Sequence, residues 1–337
     1  MDPEGRLYTW GENDFGQLGL GHLNPRKVPT HVAALEGVKL KSAEITDEHM
    51  VVLDQEGQLY SWGRGYLSDP YSLYLQGNFM ALGHPDLNDY WLPKKIEFFV
   101  GKKVIQFSAG RYSTMAVDDE GNIWSWGHFN ISKELEKKYV RSMLPQREET
   151  LNELVRASGS RARKVDNTDR IHGILMENGK MFMYGLNMVK QLPVEKTFLQ
   201  QKEAFQFSPL PVILPGELDV RIADFSIGSN CVLLKHQNGD FYFSGGRMSK
   251  GATKLLMAPV EGKIKQFVAC DNGAAFLTED GSVFKVGNFW VGEDENTEFS
   301  LIPKRVDPKF FRGLRVREIG GGYSTCFAIV DHPLTTI

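Results

Sequence analysis

The sequence of 337 residues predicts an all-β fold, a β-propeller of about six blades. Two observations predict it. A tight turn followed by an aromatic strand that ends in glycine recurs along the whole chain, and a pair of short apolar strands precedes each of the later turns. Four short strands per unit of roughly 40 to 50 residues are typical of a propeller blade.

The turn-and-strand motif has three clear copies, at residues 4–11, 56–63 and 120–127, and three degenerate ones, at 178–185, 238–245 and 280–287. Glu-Gly, Asp-Gly and Asn-Gly pairs favour tight hairpins because glycine accepts a positive φ at little steric cost. The residues predicted to build the repeat are the glycines of the turns, the glycines that end the strands, and three tryptophans: Gly5, Trp10, Gly11, Gly57, Trp62, Gly63, Gly121, Trp126, Gly127, Gly179, Gly185, Gly239, Gly245, Gly281 and Gly287.

The paired apolar strands are predicted at residues 40–53, 104–117, 165–176, 222–234, 264–277 and 316–329. The chain begins with a hairpin that lacks this pair and ends with a pair that lacks its hairpin. We therefore expect the segments 5–10 and 316–329 to share one blade, which closes the ring and covers two strand edges. A single propeller domain over residues 1–337, with insertions at 64–79 and 132–164, follows from this arrangement.

Charge and cysteine content set the broad class of protein. The net charge of −3 gives no general attraction to nucleic acid or to an anionic membrane. Cys231, Cys270 and Cys326 are an odd number without C-x-x-C spacing, so neither a disulfide framework nor a zinc site is expected. No apolar run is long enough to predict a membrane span, and the first residues do not resemble a targeting sequence. We expect an intracellular location, mitochondrial or cytoplasmic rather than nuclear.

Residues 7–19, Leu-Tyr-Thr-Trp-Gly-Glu-Asn-Asp-Phe-Gly-Gln-Leu-Gly, resemble the repeat of the regulator of chromosome condensation family. Residues 81–84, 107–113 and 319–325 are similar to further parts of that repeat. The resemblance implies a β-propeller. The family usually has seven blades where six are counted here, so either seven blades are present, or a blade is lost, or the ring is open and a partner fills the gap. The family's histidine of the inner turn is present only at His49 and is replaced by Ser113, Cys231, Gly273 and Thr325.

No pattern of catalytic residues is present in the sequence. The eight histidines show no metal-ligand spacing, and the glycine runs do not precede a helix that could hold a phosphate. His22 and His84 occupy equivalent positions of the repeat, which favours a structural hydrogen bond over a ligand role. We therefore predict no catalytic residue, no cofactor and no metal.

Two insertions carry the candidate interface residues. The first holds Tyr66, Tyr71 and Tyr74, which either bind a partner or fold onto their own blade. In the second, Leu135, Tyr139 and Met143 have helical spacing, so a helix over part of 132–157 is expected in place of the outer strands. A basic loop follows it, which is either a solvated surface or a contact for RNA or an acidic partner, and its residues are Arg156, Arg161, Arg163 and Lys164.

These features together predict a non-catalytic scaffold that binds other protein subunits of a larger complex. The family resemblance implies two alternatives. One is a guanine-nucleotide exchange factor for a small GTPase, as the founding member is for Ran. The other is a mitochondrial factor associated with the mitochondrial ribosome or with RNA.

Overall fold

The computed structural model describes residues 1, 5–68, 78–79, 81–129, 140–168, 171–186, 193–194, 205–245, 252–270, 272–287, 300–321 and 326–330. These residues form two compact units, Met1–Asp169 with Met176–Asn178, and Arg170–Leu175 with Gly179–Ile337. A single domain over the whole chain stays a prediction. Tyr71, Tyr74, Leu135, Tyr139 and Thr325 lie outside the described residues.

Most of the described residues belong to short strands. Sheet I contains β1 (Tyr8–Gly11) and β2 (Arg26–His31). Sheet II contains β3 (Leu40–Ile45), β4 (His49–Asp54), β5 (Leu59–Gly63) and β8 (Tyr90–Lys95), with the small hairpin β6 (Leu67–Ser68) and β7 (Asn78–Phe79) inserted before its last strand. Sheet III contains β9 (Val104–Ala109), β10 (Ser113–Asp118), β11 (Ile123–Phe129) and β12 (Val140–Arg147).

The remaining sheets repeat the same order. Sheet IV contains β13 (Ala162–Asn167), β14 (Ile171–Met176), β15 (Met181–Leu186) and β16 (Phe205–Pro211). Sheet V contains β17 (Ile222–Ile227), β18 (Cys231–His236), β19 (Phe241–Gly245) and β20 (Thr253–Lys254). Sheet VI contains β21 (Ile264–Ala269), β22 (Gly273–Thr278), β23 (Val283–Gly287) and β24 (Ser300–Arg305), and sheet VII contains β25 (Val316–Gly321) and β26 (Cys326–Val330).

Helical structure among these residues is limited. The α-helix α1 (Glu149–Ser158) follows β12, and single 3-10 turns cover Ala33–Leu35, Glu97–Phe99 and Pro308–Phe311. In the part of the chain that the structure describes, no helix is long and apolar enough to cross a membrane.

A glycine at or near the end of the third strand has the same place in all five four-stranded sheets of the described residues. It lies opposite the first residue of the second strand, in the pairs His49–Gly63, Ser113–Gly127, Ile171–Gly185, Cys231–Gly245 and Gly273–Gly287. Gly63 has a φ of 108°, and a Cβ there would lie 2.4 Å from the carbonyl oxygen of Glu48. Glycine is therefore required at this position, and the predicted equivalence of His49 with Ser113, Cys231 and Gly273 is confirmed.

The second strands form the interior of the sheets. Every residue of β4, β10, β14 and β22 is buried. One of the clusters between neighbouring sheets joins Val51 and Leu59 of sheet II to Phe107, Ala116 and Trp126 of sheet III. Burial on both faces explains why these strands read as continuous apolar runs.

The tryptophans of the repeat connect neighbouring sheets. The ring of Trp62 packs against Gly19 and donates its N–H to the carbonyl oxygen of Gln17 at 2.9 Å. The ring of Trp126 packs against Gly83 and donates to the carbonyl oxygen of Ala81 at 2.7 Å. Each buried indole thus lies beneath the loop between the third and fourth strands of the preceding sheet.

The predicted strand pairs and hairpins are confirmed in the described residues. The structure differs from the prediction in the second insertion, and it does not show the predicted closing blade among the described strands. The predicted helix is present as α1, but the expectation that a helix replaces the outer strand is wrong for Met143. That residue lies in β12, the fourth strand of sheet III, whose Ser142 and Gln146 pair with Gly127 and Ser125. Sheets I and VII are separate two-stranded sheets among the described strands, so the shared closing blade stays a prediction.

Candidate protein-binding face

A buried carboxylate organises one end of sheets II and III, where the first strands end and the second strands begin. Glu48 precedes β4, and its side chain is 8% exposed. One of its oxygens accepts a hydrogen bond from Arg64 at 3.2 Å, and the other accepts one from Arg111 at 3.0 Å. Charge-assisted bonds of this kind fix both guanidinium groups in place, and Glu48 therefore holds two arginines from neighbouring sheets.

Aromatic rings lie against both guanidinium groups. Arg64 lies over the ring of Phe15 at 4.5 Å, and Arg111 lies 5.3 Å from the ring centre of Tyr112. The partly exposed ring of Trp91 packs directly on Gly16, next to Phe15. Tyr112 itself is buried, at 6% exposure. We call this surface the arginine–aromatic face and define it as Phe15, Arg64, Trp91 and Arg111.

The turn between β3 and β4, beside Glu48, ends at the buried histidine His49, the first residue of β4. His49 is 2% exposed, and its Nδ1 is hydrogen-bonded to the hydroxyl of Thr46 at 2.8 Å. Burial lowers the pKa of His49 to about 4, because the interior disfavours the charged imidazolium. A neutral His49 therefore serves as a structural element of this turn at neutral pH.

Another carboxylate, that of Glu44, lies at the contact between sheets II, III and IV. Glu44 of β3 accepts a hydrogen bond from the backbone N–H of Ala109 at 2.7 Å, and nearby Ser108 contacts Asp166. Burial of its carboxylate, together with the charge of Asp166, raises the pKa of Glu44 to about 8, although the Ala109 bond opposes this. These contacts join three first strands, β3, β9 and β13, so they are explained by packing between sheets.

Tyr66, from the first predicted insertion, is half-buried and follows Arg64 by two residues in the chain. The backbone N–H of the preceding Gly65 donates to Asp89 at 2.8 Å, which anchors this segment to the start of the β8 region. Tyr71 and Tyr74 lie outside the described residues, so their part in an interface stays a prediction.

The four predicted basic residues do not form one loop. Arg156 lies in α1 and faces Glu149 at 3.6 Å, and both side chains are largely exposed. Arg161 packs over Gly121 of sheet III, and Arg163 and Lys164 lie within strand β13. The expected flexible loop over 156–164 is therefore wrong, because the chain ends a helix at Gly159 and starts the next sheet three residues later.

The predicted structural roles of His84 and Cys231 agree with their surroundings. His84 is buried and its Nε2 lies 3.0 Å from the hydroxyl of Ser61, and the sulfur of buried Cys231 contacts the carbonyl oxygens of Cys270 and Gly273 at 3.3 Å each. Cys270 is disulfide-bonded, which the cysteine spacing did not predict. Within the described ranges, no group of three or more potential ligands could hold a metal ion.

Sequence reasoning missed Glu48, Arg64 and Arg111. Pairing of β4 with β5 brings Arg64 next to Glu48, whereas Arg111 reaches Glu48 because sheet III packs beside sheet II. The repeat places all three near strand ends, with Glu48 directly before β4, Arg64 directly after β5 and Arg111 in the turn between β9 and β10.

A family model for the Regulator of chromosome condensation (RCC1) repeat matches residues 4–53 and 73–117. The ultraviolet-B receptor UVR8 of Arabidopsis thaliana is 33% identical over 121 residues, which are 36% of this chain and 25% of that protein. The mitochondrial RCC1 domain-containing protein RUG3 of the same plant is 31% identical over 128 residues, 38% of this chain and 26% of that protein. The matched region thus spans about a quarter of each of these relatives.

Solved structures share the fold. Yeast RCC1 (Prp20) in its complex with Kap60 superimposes with a TM-score of 0.73 at 20% identity, covering 97% of this chain and 76% of that one. Prp20p of Saccharomyces cerevisiae, studied for its binding to Gsp1p and histones, gives a TM-score of 0.54 at 19% identity, covering 97% and 92%. At this identity the likeness shows the fold, a mostly β propeller with about six blades in this chain.

Proposed function

We propose that this chain, whose residues 4–53 and 73–117 match the regulator of chromosome condensation (RCC1) repeat, is a non-catalytic scaffold that binds other protein subunits of a larger complex. The observation that carries the proposal is the arginine–aromatic face. Tryptophan, tyrosine and arginine are enriched at the energetic centres of protein interfaces, and here Glu48 holds two arginines in fixed positions. A surface that is ordered before binding loses less entropy when a partner arrives.

The geometry suits binding rather than chemistry. The buried carboxylate of Glu48 is occupied by two guanidinium groups, and His49 is held neutral and hydrogen-bonded within its turn. Phe15 and Trp91 offer partly exposed rings beside Arg64, so an aromatic or aliphatic side chain of a partner can pack there while its polar groups meet Arg64 or Arg111.

The test is quantitative affinity purification of the full chain, with the double variant Phe15→Ala/Trp91→Ala compared with the natural sequence. We expect the variant to lose specific co-purified proteins by about tenfold or more, because central aromatic contacts dominate interface energies. The control is Trp10→Ala, which removes an exposed tryptophan of sheet I that lies outside the face. Equal recovery of partners by the double variant and the natural chain contradicts the proposal.

Guanine-nucleotide exchange on a small GTPase is a second candidate, and the binding of Prp20p to Gsp1p favours it. A nucleotide-release assay with purified full-length chain against a panel of small GTPases tests this function. Acceleration of release that the Phe15→Ala/Trp91→Ala variant lacks supports exchange through the arginine–aromatic face. No acceleration with any GTPase removes this candidate.

A mitochondrial, RNA-associated role is the third candidate, and the mitochondrial relative RUG3 favours the location. RNA contact rests on Arg161, Arg163 and Lys164 at the start of sheet IV. Binding through phosphates weakens steeply as salt rises, because bound cations are released. A salt-independent affinity, or the absence of RNA binding, argues against this candidate.

A further inference from the structure

A disulfide begins at the turn between the first and second strands of sheet VI. Cys270 lies in this turn, where its backbone N–H donates to the carbonyl oxygen of Gly273 at 2.8 Å, as that of Thr46 donates to His49 in sheet II. Cys270 is 1% exposed and is disulfide-bonded. Since Thr46 occupies the equivalent place, the disulfide is particular to sheet VI and is not a feature of the repeat.

The partner of Cys270 follows from the cysteine content. Of the three cysteines in the chain, Cys231 of sheet V carries a thiol, and it donates its S–H to the carbonyl oxygens of Cys270 and Gly273 at 3.3 Å each. Cys231 therefore contacts the main chain of the turn and takes no part in the disulfide. Cys326 is the one other cysteine that the sequence supplies.

The first strands of sheets VI and VII, β21 and β25, lie side by side and run in the same direction. Lys265 of β21 donates to the carbonyl oxygen of Arg317 in β25 at 2.6 Å. One residue further along β21, the side chain of Gln266 accepts the N–H of Ile319, two residues further along β25, at 3.2 Å. The C-terminal ends of both strands are therefore at the same end of the two sheets.

Cys270 and Cys326 lie at this shared end. Cys270 directly follows Ala269, the last residue of β21, and Cys326 pairs with Gly321, the last residue of β25. The turns of sheets V and VI also touch, because the carbonyl oxygen of Cys270 fills the space that a Cβ at Gly228 would need. Such close neighbouring backbones suit a disulfide, whose Cα atoms lie roughly 4.4 to 6.8 Å apart.

We propose that Cys270 and Cys326 form a reversible cross-link that attaches sheet VII to sheet VI, and that glutathione disulfide is the oxidant that forms it. One protein thiolate attacks glutathione disulfide and releases one glutathione, and the other then displaces the second glutathione from the mixed disulfide. Two protein thiols thus become one disulfide, and glutathione disulfide takes up their two electrons and two protons as two molecules of glutathione. This cross-link does not depend on partner binding at the arginine–aromatic face.

The cross-link adds to a modest apolar contact. Sheet VII packs on sheet VI through buried Val316 and the partly buried Ile319, Ala328 and Val330, whereas every residue of β22, the second strand of sheet VI, is buried. The disulfide therefore contributes more to holding β26 than it would to a fully buried strand. Because a compartment rich in reduced glutathione keeps such bonds open, the attachment of β26 follows the redox state of the compartment.

Thiol counting and peptide mapping test the pairing. The full chain, equilibrated with glutathione disulfide and denatured without reductant, should react with one thiol label, and with three labels after reduction. Trypsin places the three cysteines in different peptides, and the peptides of Cys270 and Cys326 should remain linked until reductant is added. Three labels on the oxidised chain, or a linked peptide that contains Cys231, overturns the proposal.

The matched control is Cys231→Ser, because Cys231 is as buried as Cys270. This variant should keep the linked peptides and leave no thiol to label in the oxidised chain. Cys326→Ser should instead leave two thiols and no linked peptides. Linked peptides that disappear in Cys231→Ser would contradict the assignment of Cys326 as the partner.

Hydrogen exchange tests the attachment of sheet VII. Reduction of the natural chain should speed exchange of the β26 amides by about tenfold or more and leave the β10 amides of sheet III unchanged. Cys326→Ser should exchange at the fast rate with or without reductant, whereas Cys231→Ser should respond as the natural chain does. If Cys326→Ser fails to fold, the natural chain with and without reductant decides alone. Exchange of β26 that is unaffected by reduction overturns the proposal.

Discussion

The indole N–H of Trp62 donates a hydrogen bond to the main-chain carbonyl oxygen of Gln17, 2.9 Å away in the preceding sheet. Replacing Trp62 by Phe leaves this carbonyl without its donor and leaves a void against Gly19. We expect a loss of about 2 kcal/mol or more in the free energy of unfolding. Urea unfolding followed by circular dichroism measures it.

Trp10 provides the matched control for that substitution, because it is exposed where Trp62 is buried. Trp10→Phe should change the free energy of unfolding by no more than about 0.5 kcal/mol. Equal destabilisation by the two substitutions would mean that Trp10 is buried in solution.

Helix α1 is attached to its own sheet through Asn152, which is buried. The side-chain oxygen of Asn152 accepts the N–H of Ile123 at 3.0 Å, and its amide donates to the carbonyl oxygens of Ile123 and Glu148 at 2.9 and 2.8 Å. The carbonyl oxygen of Ile123 also accepts the N–H of Glu148, so Asn152→Ala leaves the N–H of Ile123 without its partner and should cost about 1 to 3 kcal/mol. Thermal and urea unfolding measure the loss.

The neighbouring exposed position supplies the comparison for Asn152. Glu153→Ala should lie within about 0.5 kcal/mol of the natural chain. If Asn152→Ala proves equally mild, α1 is not anchored to sheet III in solution.

The repeat could be predicted from the sequence because glycine and tryptophan recur at fixed places, and the register of Gly63 and Gly127 shows why they must. Strand β12 was missed because Leu135, Tyr139 and Met143 have helical spacing, although sheet pairing decides the conformation at Met143. Pro145 was the overlooked signal.

Proline recurs at one position of the fourth strands. In four sheets, a proline directly precedes one of the residues that pair with the third strand, and these prolines are Pro29, Pro93, Pro145 and Pro303. A fourth strand lies at the edge of its sheet, where a missing backbone donor is tolerated. The Glu48 site, in contrast, is a contact between sheets, and no local pattern in the sequence encodes which charged residues two packed sheets bring together.

The carboxylate of Glu48 pairs with two arginines, and its replacement by Gln keeps the shape of the side chain and removes the charge. Arg64 and Arg111 are about one-third exposed, at 29% and 36%, so water screens part of the loss. We expect Glu48→Gln to lower the free energy of unfolding by about 1 to 2 kcal/mol at low salt and by less at high salt. Urea unfolding at two salt concentrations measures both values.

The exposed pair of Glu149 and Arg156 is the control for Glu48. Both of its side chains are more than half exposed, and Glu149→Gln should change stability by less than about 0.5 kcal/mol. A Glu48→Gln variant as stable as Glu149→Gln would show that the arginines of the face do not depend on the buried carboxylate.

The buried imidazole of His49 should make stability depend on pH below neutrality. Its pKa is lowered by burial from 6.5 to about 4, so between these values the unfolded chain binds a proton that the folded chain does not. This contribution to stability is complete above about pH 6.5 and is lost as the pH falls toward 4, by up to about 3 kcal/mol.

The difference in the free energy of unfolding between the natural chain and His49→Gln isolates the contribution of His49 from those of other buried groups. His84, whose pKa burial also lowers to about 4, acts in the same direction, whereas Glu44, whose pKa is raised to about 8, loses its contribution as the pH rises from 4.5 toward 8. Neither residue is altered in His49→Gln, so their effects cancel in the comparison. Urea unfolding from pH 4 to 8 should therefore show a difference that is constant above about pH 6.5 and shrinks below it. Parallel curves over the whole range would mean that His49 is accessible to protons in the folded chain.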